Sequence, residues 1–289
     1  MFAPDLLAGR HVLITGGGTG LGLEIGRAYL RLGASLVICG RRIPVLEAAA
    51  EALRVEIPGA SITTIGCDVR DPAQVEAMLD MIWQDRPLDI LVNNAAGNFL
   101  AQSHRLSVRA VDAVLGIVLH GSAYCTIGAG RRWIEAGRPG VVLSILTLSA
   151  LSGAAFTVPS AMAKAGVLAM TRSLAVEWGP YGIRCVAVAP GSFPTPGASA
   201  GLAPAGLERP VPARTIPLAR PGLYRELTDV CSFLVSDLAS YVNGDCMVVD
   251  GGKRWLSGSA QNDTATLLAM TNEQWDGLKP PRPKKETPA

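Results

Sequence analysis

The sequence predicts a doubly wound α/β fold, one parallel sheet of about seven strands with helices on both faces. Three observations carry this. Apolar, β-branched runs of five to seven residues recur along the chain, segments of helical length and period separate them, and a glycine-rich turn directly follows the first run. Continuously apolar strands belong to a sheet covered on both sides, and such sheets bind ligands at the carboxyl ends of their strands.

The first strand is HVLIT (11–15), and TGGGTGLGLEIGRAYL (15–30) turns it into a helix over 21–32. Gly16, Gly20 and Gly22 permit a tight turn, close approach of backbone N–H groups to a pyrophosphate, and tight helix-to-strand packing. Thr15, Gly18 and Leu21 complete the candidate cradle. Leu23 and Glu24 follow the glycines where a phosphate-hydrolysing loop has Lys and Ser or Thr, which argues against that chemistry. SLVIC (35–39) is the second strand, ending in Cys39-Gly40-Arg41-Arg42. No acid stands there to hold a ribose 2′-hydroxyl, whereas Arg41 and Arg42 suit a 2′-phosphate, so the expected cofactor is NADP(H).

A helix over 43–53 leads to SITTIGC (61–67), and a helix over 73–83 leads to DILVN (89–93). VVLSIL (141–146), RCVAVAP (184–190) and CMVVDGG (246–252) supply the remaining strands. The stretch 193–223 is rich in Pro, Gly and Ala and reads as a lid. Residues 1–255 thus form one domain that includes the lid, and 256–289 a C-terminal extension ending in a mobile, basic, proline-rich tail.

Composition narrows the function classes. With 49% hydrophobic and 17% charged residues and a net charge of +2, the chain of 289 residues has no bias towards nucleic acid or an anionic membrane. The six cysteines lack CxxC spacing, so neither a metal site nor a disulfide framework is expected. Neither a signal peptide nor a membrane span is read from the sequence, and the expected setting is the cytoplasm.

Thr15-Gly16-xxx-Gly20-x-Gly22, Asp68-Val69, Asn93-Asn94-Ala95-Ala96-Gly97, Lys164, and Pro190-Gly191 followed by Thr195 together resemble the short-chain dehydrogenase/reductase family, over residues 9–252. NNAAGNF (93–99), Ser160-xxx-Lys164, VEWGPYGIR (176–184) and the later SGSAQND and EQWD are similar to 2,4-dienoyl-CoA reductases. The resemblance implies a Rossmann-type dinucleotide fold. It also implies that Asp68 and Val69 meet adenine, that Asn94, Ala95 and Ala96 line the cofactor, that Lys164 holds the nicotinamide ribose, and that Thr195, beyond Pro190 and Gly191, meets the carboxamide. It implies a homo-oligomer, dimer or tetramer, assembled through helices at 108–135 and 158–178.

Two tyrosines of the wider pattern are absent. Ser160 occupies the place four residues before the lysine, and Ser149 the place of the dienoyl-CoA reductase tyrosine, while Asn98 keeps that group's asparagine. Thr147 stands for the family's catalytic serine and His120 for its helix asparagine. The candidate catalytic set is therefore Lys164, Asn98, Ser149, Ser160, Thr147 and His120. A serine hydroxyl is a far weaker acid than tyrosine, so the set suits reduction of an alkene conjugated to a thioester, in which oxygen needs only donors.

Two other readings stay open: a carbonyl or alcohol oxidoreductase with His120 as proton relay, and a non-catalytic NADP-binding protein. Ser160 is either an auxiliary hydroxyl or a small packing residue. Tyr124 reads as packing and His104 as solvated. Arg214 and Arg220 are candidates for CoA phosphates or plain surface charges. The GxSxG match at 197–201 lies in the Pro/Gly-rich connection, not at a strand-to-helix elbow, and is set aside.

Overall fold

The computed structural model describes residues 2–195, 215–256, 267 and 270–277. Positions 196–214 of the expected lid, with Arg214 and the GxSxG match, and the tail from 278 lie outside the described residues.

Seven strands form one wholly parallel sheet: β1 His11–Thr15, β2 Ser35–Gly40, β3 Ile62–Gly66, β4 Ile90–Asn93, β5 Gly140–Ile145, β6 Ile183–Pro190 and β7 Cys246–Val249. Their order is β3-β2-β1-β4-β5-β6-β7. The direction of winding reverses between β1 and β4, which opens a crevice at the carboxyl edge. Thr15 pairs with Cys39, Gly40 with Gly66, and Asn93 with Ser144, so the loops after β1 to β5 leave the same edge together.

Alternation along each strand divides the core. Val12, Ile14, Leu36 and Ile38 pack with Ile25 and Tyr29 of α1 (Gly20–Arg31) on one face, together with Leu46 of α2 (Ile43–Glu56). Leu13, Val37 and Leu91 pack on the other with Met78 and Ile82 of α3 (Pro72–Asp85). Helix α3 starts one residue earlier than its periodicity suggests, because Pro72 is preorganised for a first turn and the Asp71 carboxylate accepts from Ala73 N at 2.9 Å.

The expected helix over 108–135 is present but not uniform. It runs as α4 (Val108–Leu115), a π turn (Gly116–His120) and α5 (Gly121–Glu135). By length and mean hydropathy, 1.5 over its most apolar window, Val108–Glu135 could cross a membrane. Here it covers the sheet: Cys125, Ala129 and Trp133 are buried, and Trp133 Nε1 donates to Leu88 O at 2.6 Å. Helix α6 (Ser149–Ser152) and the long α7 (Val158–Trp178) follow β5, and Trp178 lies so close to Gly130 that a β-carbon there would come within 2.4 Å of the indole. Helix α8 (Tyr224–Val235), which the Pro/Gly-rich approach hides in the sequence, packs on α1, and α9 (Asn272–Gly277) lies in the extension. All six cysteines are free, five of them buried.

Candidate functional site

The glycine turn has the geometry its sequence requires. Gly16 and Gly20 hold φ of 67° and 58°, in the left-handed region. At Gly22 a β-carbon would lie 2.4 Å from Asn94 Nδ2 and 2.7 Å from Gly16 O, so only glycine fits. Asn94 Nδ2 donates to Thr15 O at 2.9 Å and Gly16 O at 3.2 Å. Thr15 Oγ1 accepts from Asn94 N and Ala95 N, both at 3.0 Å, and donates to Val92 O at 3.3 Å. That uses the hydroxyl's whole capacity. The Thr15 and Asn94 side chains therefore fasten the turn to the end of β4 instead of pointing donors at a ligand. Leu21 packs partly buried against the core while its N–H sits in the open first turn of α1.

Beside this turn a cleft is walled by Gly16, Gly18, Arg41, Arg42, Asp68, Val69, Ala95 and Ala96, eight of the residues expected at the cofactor. A β-carbon on Gly18 would press Leu46 at 3.1 Å and fill the cleft's floor. The site thus fits a dinucleotide: N–H groups at a helix start, glycines where a side chain would crowd the cleft, and two arginines at the end of β2. Arg70 Nε donates to both Asp68 oxygens, at 2.9 and 3.0 Å, and holds that carboxyl below its usual range. Val45, Leu46, Cys67 and Ile117 also wall the cleft. Sequence reasoning missed Val45, Leu46 and Ile117 because helix α2 and the π turn bring them in from outside any motif, whereas Cys67 stands between β3 and the Asp68-Val69 pair. Thr195 reaches the start of α1, where a β-carbon on Gly20 would meet its Cβ at 3.8 Å. Gly191 N donates to Val249 O at 2.8 Å, and a β-carbon on Gly191 would strike Asp250, so Pro190-Gly191 joins β6 to the turn after β7.

Next to the cleft, beyond β5, Thr147 Oγ1 and Ser149 Oγ lie 2.6 Å apart. One hydroxyl spends its proton on the other, which leaves a single O–H free to donate outward. On the loop after β4, Asn98 Oδ1 accepts from Phe99 N at 2.9 Å, so the amide presents its NH₂. Ser160 and Lys164 share one face of α7, each 5% exposed. Lys164 Nζ donates to Ile145 O, and burial alone pulls its pKa down from 10.5 to about 8.

The sign of that shift makes a prediction. Below about pH 8 lysine is charged in both folded and unfolded chains, and the folded state carries the burial penalty. The penalty disappears as pH rises towards 10.5, where the unfolded chain also deprotonates. Replacing Lys164 by Met is expected to stabilise the protein without cofactor at pH 7 by about 3 kcal/mol, taking 1.36 kcal/mol per pKa unit, with the advantage gone near pH 10.5. Denaturant titrations of both proteins across that range measure it, and a pH-independent difference refutes it.

His120 does not join the hydroxyls. Val118 packs on Ala163 of α7, and a residue two positions later projects to the opposite side of a helix. His120 is exposed, its ring 6.2 Å from that of Tyr124. Arg220 is occupied as well: its guanidinium grips Glu226 at 2.6 and 2.9 Å.

A family profile described as enoyl-(acyl carrier protein) reductase matches residues 16–254. An uncharacterized oxidoreductase of Caenorhabditis elegans, F53C11.3, is 41% identical over 277 residues, 94% of this chain and 88% of that protein. A Bacillus subtilis protein named probable 2,4-dienoyl-CoA reductase is 38% identical over 250 residues, 86% of this chain and 97% of that one. Among solved structures, an Agrobacterium tumefaciens protein with bound NADP superposes with a TM-score of 0.78 at 31% identity, covering 87% of this chain and 98% of that one. With the seven-stranded sheet, the glycine cradle and the buried lysine already in place, these likenesses assign the chain to the short-chain dehydrogenase/reductase family of oxidoreductases.

Proposed function

We propose that the protein is an NADPH-dependent reductase of an unsaturated fatty acyl-CoA, of the 2,4-dienoyl-CoA reductase kind. The observation that carries this is the donor set at the site: the Thr147–Ser149 hydroxyl pair and an Asn98 amide turned to present its NH₂, with serine at both tyrosine positions. Such donors stabilise a thioester oxygen as negative charge gathers on it without having to ionise. Reducing a ketone would require an acid able to give that oxygen a proton, which makes the hydroxyls a poorer match for it. The exposed position of His120 weighs against the carbonyl reading with a histidine relay.

In this reading the open N–H groups of the glycine turn hold the pyrophosphate, Arg41 and Arg42 the 2′-phosphate, Asp68 and Val69 the adenine, and Ala95 and Ala96 the cleft wall. Lys164 orients the nicotinamide ribose from within α7, Ser160 is an auxiliary hydroxyl beside it, and Thr195 covers the carboxamide side. When bound, the cofactor supplies hydride, and the proton that completes the reduction on carbon comes from solvent. The NADP-bound relative and the dienoyl-CoA name of the Bacillus subtilis protein support the same choice. Free, mostly buried thiols suit a cytoplasmic setting. Exposed Ile127, Met162 and Val176 on α5 and α7 suit a homo-oligomer.

The test is to mix the protein with NADPH and a 2,4-dienoyl-CoA, follow loss of the cofactor's absorbance and identify the product by mass. Reduction to an enoyl-CoA is expected. Tight NADPH binding with no consumption refutes the reading in favour of a non-catalytic NADP-binding protein.

A further inference from the structure

Two large apolar side chains stand out of the surface close in sequence to the polar groups of the site. Leu100, 40% exposed, follows Asn98 by two residues, and Phe156, 58% exposed, precedes Ser160 by four. Phe156 has a second unusual property. Its φ is 62°, in the left-handed region that an aromatic residue occupies only when its surroundings enforce it. The turn is tied to the Asn98 loop: Ala101 N donates to Phe156 O at 2.9 Å. This bond joins the arm carrying Asn98 and Leu100 to the turn that leads into α7, and α6, which begins at Ser149, packs on α7.

We propose that Phe156, with Leu100, forms the binding site for the acyl chain of the substrate, and that Phe156 sets how much affinity each added methylene contributes. The proposal rests on the thioester reading of the Asn98 and Ser149 groups. A chain whose carbonyl oxygen is held by those donors has to leave across the adjoining surface, where Leu100 and Phe156 stand exposed on segments joined by the Ala101–Phe156 bond. The left-handed turn fits a site, since backbone strain of this kind gathers where a ligand is clamped.

The experiment titrates saturated acyl-CoAs of four, eight and twelve carbons into the protein with excess NADP⁺ and measures heat of binding. The wild type is compared with Phe156→Leu and Phe156→Asn. Asparagine tolerates the left-handed region, so that variant removes the apolar ring and keeps the turn. Wild-type affinity is expected to rise about twofold to fourfold per added methylene, the upper figure being full burial. Leu should keep most of that slope, and Asn should cut it to less than half. A wild type indifferent to chain length, or an unchanged slope in Phe156→Asn, overturns the proposal. An unchanged slope accompanied by a shift in oligomeric state would assign the patch to a second copy of the chain instead. Dienoyl-CoA turnover is read separately: turnover with an unchanged slope removes the acyl site and leaves the proposed function standing, whereas a slope lost in Phe156→Asn without any turnover does the reverse.

Discussion

Replacing Arg41 and Arg42 together by Gln is expected to raise the dissociation constant for NADPH about a hundredfold and to leave that for NADH within about threefold. The 2′-phosphate carries close to two negative charges and differs from the hydroxyl of NADH at that point alone. A hydrogen bond to a charged group contributes about 1.5–3 kcal/mol, and both arginines are exposed, so the low end applies to each. Two such contacts come to about 3 kcal/mol, or roughly a hundredfold. The fold tolerates the change, because Arg42 starts α2 through its backbone: Val45 N and Leu46 N donate to Arg42 O at 3.0 and 3.2 Å. Asp68 cannot substitute for the missing ribose acid while Arg70 grips its carboxylate. Equilibrium binding of both cofactors at low and high salt measures the effect, and wild-type preference for NADPH should shrink as salt screens the exposed charges. Equal losses for the two cofactors would end the assignment.

The parts of this protein that can be read from its sequence are those in which a local rule and the fold agree. HVLIT became β1 residue for residue because all five positions are buried in the sheet, and the cradle's glycines announced themselves because each sits where a side chain would collide or φ is positive. The site's second half was readable only as identities. Nothing in the letters told that Thr147 and Ser149 share a hydrogen bond, or that Phe99 N orients the Asn98 amide, since both depend on how the loops after β5 and β4 close. The side chains of Thr15 and Asn94 also fasten the glycine turn to β4, which their letters do not tell, since it rests on where their donors end up. The placement of His120 was hidden for a similar reason: the residues of its π turn facing α7 are its neighbours Val118 and Leu119.

The hydroxyl pair carries the sharpest consequence for catalysis. Ser149→Ala or Thr147→Val is expected to lower kcat for a dienoyl-CoA by about a hundredfold, the usual loss when one donor to a developing oxyanion is removed. The affinity for NADPH should not change, because neither residue walls the cofactor cleft. The double variant should cost little more than the worse single one. At 2.6 Å the two oxygens act as one unit, one holding the proton direction of the other, so deleting either already deprives the substrate of an oriented donor. Independent hydroxyls would instead multiply their losses, towards ten-thousandfold, and would show that each reaches the substrate oxygen by itself. A double variant with full activity would remove both from the reaction and leave the Asn98 amide as the oxygen's only proposed partner. A loss confined to KM would mean that the pair binds the ground-state thioester and the more reactive species equally, which is binding without catalysis.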